Sequence, residues 1–217
     1  MRSVQARQGG LEVSLFRRLS DSHPAAVVEL ADQYRMNEEI MTLSNRLIYG
    51  ERLRCGSESV RTRKLNIPKW DAVKSICERV ACGSADLQPR GCWLQQLLDE
   101  KCKAVFVDTD GIPGYESRVG NLIQNEVEAE LVRQVTEALV AGGVSPDQIG
   151  IITLYRQQVK LISYLLGGRK DVEILTADRS QGRDKDVVIF SMVRSNDDKK
   201  VSWFDLCNSW AHGETDR

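Results

Sequence analysis

Asp178-Arg179-Ser180-Gln181-Gly182-Arg183-Asp184-Lys185-Asp186 is a polar loop between two apolar stretches, Val172 to Leu175 before it and Val187 to Val193 after it. Each flank has the length and composition of a buried strand. Working upstream, Gln157 to Leu166 carries Val159, Ile162, Leu165 and Leu166 at helical spacing, and Gly167-Gly168 ends that helix. Ile149 to Leu154 is another apolar strand. Asn125 opens a longer helix lined by Val127, Leu131, Val132, Val135, Ala138 and Leu139, which Gly142-Gly143 stops. Ala104 to Asp108 reads as a strand, and Thr109 to Gly120 as the loop after it. Near the start, Leu11 to Leu19 is a short amphipathic helix and Ala26 to Leu30 a strand. Asn37 is the N-cap of a further helix, with Glu38 and Glu39 favouring its dipole and Gly50 closing it. Strand and helix alternate along most of the chain, which predicts an α/β fold with a parallel sheet and helices on both faces.

Between Arg52 and Lys103 the pattern weakens, and this stretch reads as a peripheral insertion with helices near 71–80 and 93–98. After Asn196 no period is sustained. The 217 residues suffice for a well-filled core, and 41% hydrophobic with 28% charged residues is a globular composition. A net charge of −1 provides no overall basic field, so any nucleic-acid binding must come from local patches. No apolar run approaches the length of a membrane span, and a membrane partner is not expected. The six cysteines contain no C-x-x-C pair and the histidines number two, so the spacing favours reduced intracellular thiols over a zinc site. The first residues lack the apolar core of a secretion signal.

Three polar clusters follow strands: Gln33-Tyr34-Arg35, Tyr155-Arg156-Gln157-Gln158 and Gln181-Gly182-Arg183-Asp184. In a parallel sheet, loops at the carboxyl ends of strands converge on one edge, the usual ligand edge. Arg35 and Arg183 could fork onto phosphate oxygens, Tyr34 could stack on a base, and Asp184 could accept from ribose hydroxyls. The plainer alternatives are that Tyr34 caps a core helix and Arg156 is a solvated charge at a helix start. No glycine stands in the pattern G-x-x-x-x-G-K-[ST], so the chain by itself holds no complete nucleotide-hydrolysis site.

Gln33-Tyr34-Arg35-Met36-Asn37, Ile149 to Gln158, and Gln181 to Asp186 with Val193-Arg194-Ser195-Asn196 resemble the second RecA-like motor domain of superfamily 1B helicases. Leu11 to Cys55 is most similar to the replicative helicase/nuclease members, which process Okazaki flaps and resected DNA ends. The resemblance covers roughly residues 8 to 196 and weakens between Ser57 and Lys103. It implies a linker and helix over 1–20, a motor domain over 21–196 with an insertion at about 54–103, and a divergent tail over 197–217. It also implies ATP with magnesium, shared with a first motor domain, and a nuclease domain in the same parent chain. Arg35 would reach the γ-phosphate as an arginine finger. Gln33 and Tyr34 would lie at the nucleotide, as would Gln181, Gly182, Arg183 and Asp184. Tyr155, Arg156 and Thr176 would face single-stranded DNA. None of the cysteines is assigned to the family's iron–sulfur cluster, and the implied location is the nucleus, with the mitochondrion second.

Leu154 and Ser180 depart from the family, which favours a proline and an aromatic residue at those places. Past Asn196 the family's Ala-Leu/Ile-Thr-Arg-Ala-Lys-like segment is replaced by Trp203-Phe204-Asp205-Leu206-Cys207 and then Ser209 to Arg217. The chain therefore reads as part of a motor, inactive alone. A superfamily 1B RNA helicase half, or a non-catalytic fragment that binds a partner or DNA, are the alternatives.

Overall fold

A computed structural model describes residues 3–80, 92–109 and 111–195. The expectations for 197–217, and for the cysteines at 82 and 207, fall outside these residues. The chain divides into two compact units, Met1–Arg63 and Lys64–Arg217.

In the first unit, helices α1 (Val4–Gln8) and α2 (Leu15–Ser22) replace the single helix expected over Leu11 to Leu19. The displacement has a local cause: the Ser14 hydroxyl accepts from the Arg17 amide at 3.1 Å and sets the start of α2. Ala26 to Leu30 does not form the expected strand. Pro24–Ala26 is a 3-10 turn, and the ladder begins only at β1 (Asp32–Gln33), which pairs in parallel with β2 (Arg54–Cys55). An apolar stretch becomes a strand only where another strand takes its hydrogen bonds, and Val28 and Leu30 remain exposed. Helix α3 (Glu38–Ser44) starts at Asn37 as expected, with Asn37 Oδ1 accepting from the Ile40 amide at 3.0 Å. It continues as a π turn over Asn45–Tyr49, ended by Gly50 at φ 57°. A single-turn helix, α4 (Glu58–Arg61), completes the unit.

The second unit is built on a three-stranded parallel sheet: β5 (Ile149–Thr153) lies between β6 (Glu173–Thr176) and β7 (Val187–Ser191). Helix α7 (Glu126–Ala141) precedes β5, and α8 (Arg156–Leu165) links β5 to β6. This is the α/β arrangement expected from the alternation. Among the described residues, the part of the weak region that belongs to this unit forms helices α5 (Trp70–Val80) and α6 (Trp93–Leu97). They are joined to the main core: Val73, Cys77 and Leu94 cluster with Val132, Leu139, Ile149, Ile151 and Ile162. Burying such residues gains roughly 1.5–3 kcal/mol each, so the insertion contributes to the stability of the unit.

Ala104 to Asp108 is not a strand: among the described residues no strand forms a ladder with it, and Phe106 is exposed. The stretch expected as a plain loop after it contains a hairpin, β3 (Ser117–Val119) and β4 (Leu122–Gln124), turned at Gly120 with φ 62°. A short helical turn, α9 (Ala177–Ser180), follows β6. Cys55, Cys77, Cys92 and Cys102 are free thiols. Among the described residues no helix is long and apolar enough to cross a membrane.

Candidate functional site

In the first unit, Gln33 is the centre of the Tyr34–Arg35 turn. Its side-chain oxygen accepts from the Arg35 amide at 2.9 Å and the Met36 amide at 2.8 Å, while its Nε2 donates to the Met36 carbonyl at 2.7 Å. The side-chain amide of Gln33 is thus spent on shaping the backbone of this turn. Tyr34 is 64% exposed, with its ring laid over Gly56. A Cβ at Gly56 would stand 2.2 Å from the ring, so only glycine admits this placement. The Arg35 side chain is exposed, and its carbonyl accepts from Arg63 Nη1 at 3.5 Å.

The second unit brings Tyr155, Arg156 and Thr176 to the carboxyl ends of β5 and β6. Tyr155 and Thr176 are half-buried, and Arg156 is exposed as the first residue of α8. Gln181 and Gly182 are exposed, and Gly182 holds φ 80°, a value that suits glycine. From there the chain runs back. Arg183 Nε lies 3.4 Å and Lys185 Nζ 3.0 Å from the Glu173 carboxylate, at the amino end of β6. Lys185 also donates to the Asp147 carbonyl at 2.6 Å and lays its stem on Gly150, where a Cβ would come within 2.9 Å. Two expectations are corrected here. The 178–186 loop does not stay at the carboxyl edge, because a parallel strand must be entered from its amino end. The three clusters also do not follow strands of one sheet, since Gln33–Arg35 belongs to the β1–β2 pair of the first unit. Arg183 and Lys185 sit around a hollow of about 30 Å³, room for a water but not for a nucleotide. Asp184, between them, is exposed.

A buried polar network, which sequence reading missed, secures this end of the unit. Asn125 is 1% exposed and Gln158 fully buried. The Asn125 amide donates to Gln158 Oε1 at 2.9 Å, and Gln158 Nε2 donates to the Asn125 carbonyl at 3.0 Å and to Ser191 Oγ at 3.2 Å. Asn125 Nδ2 donates to the carbonyls of Gly114 at 2.8 Å and Val193 at 3.2 Å. The Glu128 carboxylate accepts from Ser191 Oγ at 2.7 Å and from the Val193 amide at 2.9 and 3.0 Å. Asn125-x-x-Glu128 has the spacing of a helix capping box. Asn125 Oδ1 does accept from the Glu128 amide at 3.0 Å, but the Glu128 side chain serves β7 instead of returning to Asn125. The spacing was the available signal, and it pointed to the helix end alone.

Beside it, Arg194 Nε meets Glu116 Oε2 at 2.7 Å with both side chains 10% exposed. Burial pulls the Arg194 pKa down, but hydrogen bonds to Tyr155 and Glu116, together with their charges, outweigh it and hold the guanidinium above its ordinary value. Glu126, at the start of α7, is held below the ordinary carboxylate value. The Ser117 hydroxyl is the chief cause and the Gln124 amide adds to it, against the cost of burial.

Comparison with known proteins agrees with the α/β fold. An AAA domain family matches residues 11–207. The DNA replication ATP-dependent helicase/nuclease dna2 of Schizosaccharomyces pombe is 39% identical over 210 residues, covering 97% of this chain and 14% of that protein. The helicase/nuclease JHS1 of Arabidopsis thaliana is 41% identical over 210 residues, with the same coverage of 97% and 14%. Human helicase/nuclease DNA2 is 40% identical over 207 residues, 95% of this chain and 19% of the human protein. The chain thus spans less than a fifth of the length of these relatives, and along that span it belongs to the AAA domain family.

Proposed function

We propose that this chain is the second RecA-like motor domain of an ATP-dependent DNA helicase/nuclease that acts in DNA replication and repair. Likeness to helicase/nucleases over 97% of the chain supports this reading. The observation that carries it in the structure is the Gln33-held turn, on which Tyr34 and Arg35 are consecutive exposed residues. Tyr34 would pack on adenine, and Arg35 would reach the γ-phosphate across a cleft made with a first motor domain. Gln181, Gly182 and Asp184 would line the same interface, Asp184 toward the ribose, while Arg183, bound to Glu173 at the amino end of β6, would not. Tyr155, Arg156 and Thr176 would hold single-stranded DNA, mainly by its backbone and by stacking. The motor domain would extend over 21–196, and the protein would work in the nucleus, with the mitochondrion second.

The donor set fits the organic and phosphate parts of ATP better than its magnesium. Cations and an aromatic ring are present, but among the described residues no three His, Cys, Asp or Glu side chains gather to hold a metal. We therefore assign no step of this chain through the metal. The phosphate loop is also absent from the sequence, so the isolated chain is expected not to hydrolyse ATP.

The test is Arg35→Ala in the full-length protein, measuring DNA-stimulated ATP turnover. A phosphate-sensing arginine supplies about 10³-fold or more in rate, so turnover should fall by that order. Near-normal turnover would remove Arg35 from this role.

A further inference from the structure

Gly56 is bare for the sake of one neighbour. It does not have positive φ, so its backbone would accept other residues. What excludes them is the Tyr34 ring. A Cβ built on Gly56 would lie 2.2 Å from Tyr34 Cζ, 2.4 Å from Cε1 and 2.6 Å from Cε2. The two Cε atoms flank Cζ on opposite sides, and such similar short distances to all three put the Cβ over the ring's face, not at its edge. The ring therefore rests one face on the backbone of Gly56, while Tyr34 stays 64% exposed. Ordinary carbon–carbon contacts are about 3.5–4.0 Å, so a methyl at position 56 would drive the ring away by roughly 1 Å or more.

The backbone on both sides of the ring is fixed without it. The Gly56 amide donates to the Gln33 carbonyl at 2.8 Å, extending the β1–β2 ladder, and Gln33 Oε1 accepts the Arg35 and Met36 amides. Gln33 Nε2 also donates to Cys55 Sγ at 3.3 Å, which ties the side chain that shapes the turn to the residue before Gly56. The turn and its platform are thus joined by backbone and amide bonds, and the ring is the part whose place depends on the size of residue 56. An aromatic ring seated on one face is ready to stack a planar group on the other. Seating it beforehand spares the cost of ordering it on binding.

We propose that Gly56 is a positioning residue for the nucleotide base: by carrying no side chain, it seats the Tyr34 ring where the ring's outer face stacks on the base. This rests on the reading of Tyr34 as the residue that packs on adenine. Gly56 acts through Tyr34 and does not touch the nucleotide.

The experiment follows DNA-stimulated ATP turnover of the full-length protein against ATP concentration, and its inhibition by inorganic tripolyphosphate, which has the phosphates but no base. The variants are Gly56→Ala, Tyr34→Ala and the two combined, each checked by thermal melting. Gly56→Ala should raise KM for ATP by about tenfold, the scale of one stacked base, and Tyr34→Ala by about as much. The loss should fall on KM more than on kcat, as for a contact made equally in ground and transition states, and tripolyphosphate should inhibit as in wild type. In the double variant the added methyl has no ring to displace, so KM should match that of Tyr34→Ala alone. The displaced ring of Gly56→Ala can turn into solvent, so the melting temperature should hold. Wild-type KM in Gly56→Ala, a further rise in the double variant, tripolyphosphate inhibition weakened as much as ATP use, or early melting that Tyr34→Ala does not recover would each overturn the positioning role and leave the reading of Tyr34 standing. Wild-type KM in Tyr34→Ala would remove that reading, and this inference with it.

Discussion

Two turns in this molecule are held in the same way and depend on it to different degrees. At Gln33 a neutral side-chain oxygen accepts two backbone amides, those of Arg35 and Met36, in a partly exposed loop of the first unit. At Val193 a carboxylate accepts one amide through both oxygens, but its owner, Glu128, lies 65 residues away and the turn is buried. Water can replace the acceptor in the first case. In the second it cannot enter, and losing an acceptor leaves a buried donor unpaired. The first turn is thus a local device for presenting Tyr34 and Arg35, and the second is part of what holds the unit together.

Removing the centre of the buried network is the most severe challenge to that contrast. Gln158→Leu strips partners from both backbone groups of Asn125 and from Ser191, and should destabilise the second unit by about 3 kcal/mol in denaturant unfolding. A loss under about 1 kcal/mol would mean that these groups find other partners.

Gln33→Ala should cost the first unit about 1 kcal/mol or less by the same measurement, because the freed amides reach solvent. Its effect on DNA-stimulated ATP turnover of the full-length protein should exceed its effect on unfolding. Gln33→Glu, which keeps the accepting oxygen, should recover most of the turnover. Equal losses in Gln33→Ala and Gln33→Glu would break the view of this side chain as a scaffold for Arg35.

The smallest effect concerns acid stability. Glu126 is held below its ordinary value of 4.5 in the folded chain, first by Ser117 and then by Gln124. Its contribution is complete above that ordinary value and is lost as pH falls through the lower folded-state value. Ser117→Ala should bring the folded value back toward 4.5 and flatten the acid limb of a stability–pH profile. An unchanged acid limb would assign the acid sensitivity to other carboxylates, such as Glu130 beside Arg133, which is lowered as well.

Much of the architecture was legible from near neighbours in the chain. Asn37 and Asn125 were readable as helix starts because an N-cap needs only an amide three residues on. Likewise β5, α8 and β6 were set by their own periodicity and by Gly167-Gly168. The candidate site was legible as clusters: the residues at 33–35, 155–156 and 181–184 stand out as polar groups beside apolar stretches, whatever surrounds them in space. The errors share a different origin. Val27, Val28 and Leu30, and the stretch at 104–108, have the side chains of strands. Strand identity nevertheless depends on a hydrogen-bonding neighbour that composition does not reveal. The place of Arg183 was misjudged because the return path to β7 is dictated by how parallel strands connect.

The long-range polar contacts were the least visible in the chain. Arg194 meets Glu116 across 78 residues and Val193 meets Glu128 across 65, and no local period joins either pair. Helix phase, caps and glycine stops were determined by the sequence alone, since their interactions close within one or two turns. Which apolar stretches became strands, why Val193 tolerates positive φ, and which carboxylate Arg194 meets were settled only when distant segments packed, because a buried polar group is satisfied by whatever the fold brings beside it.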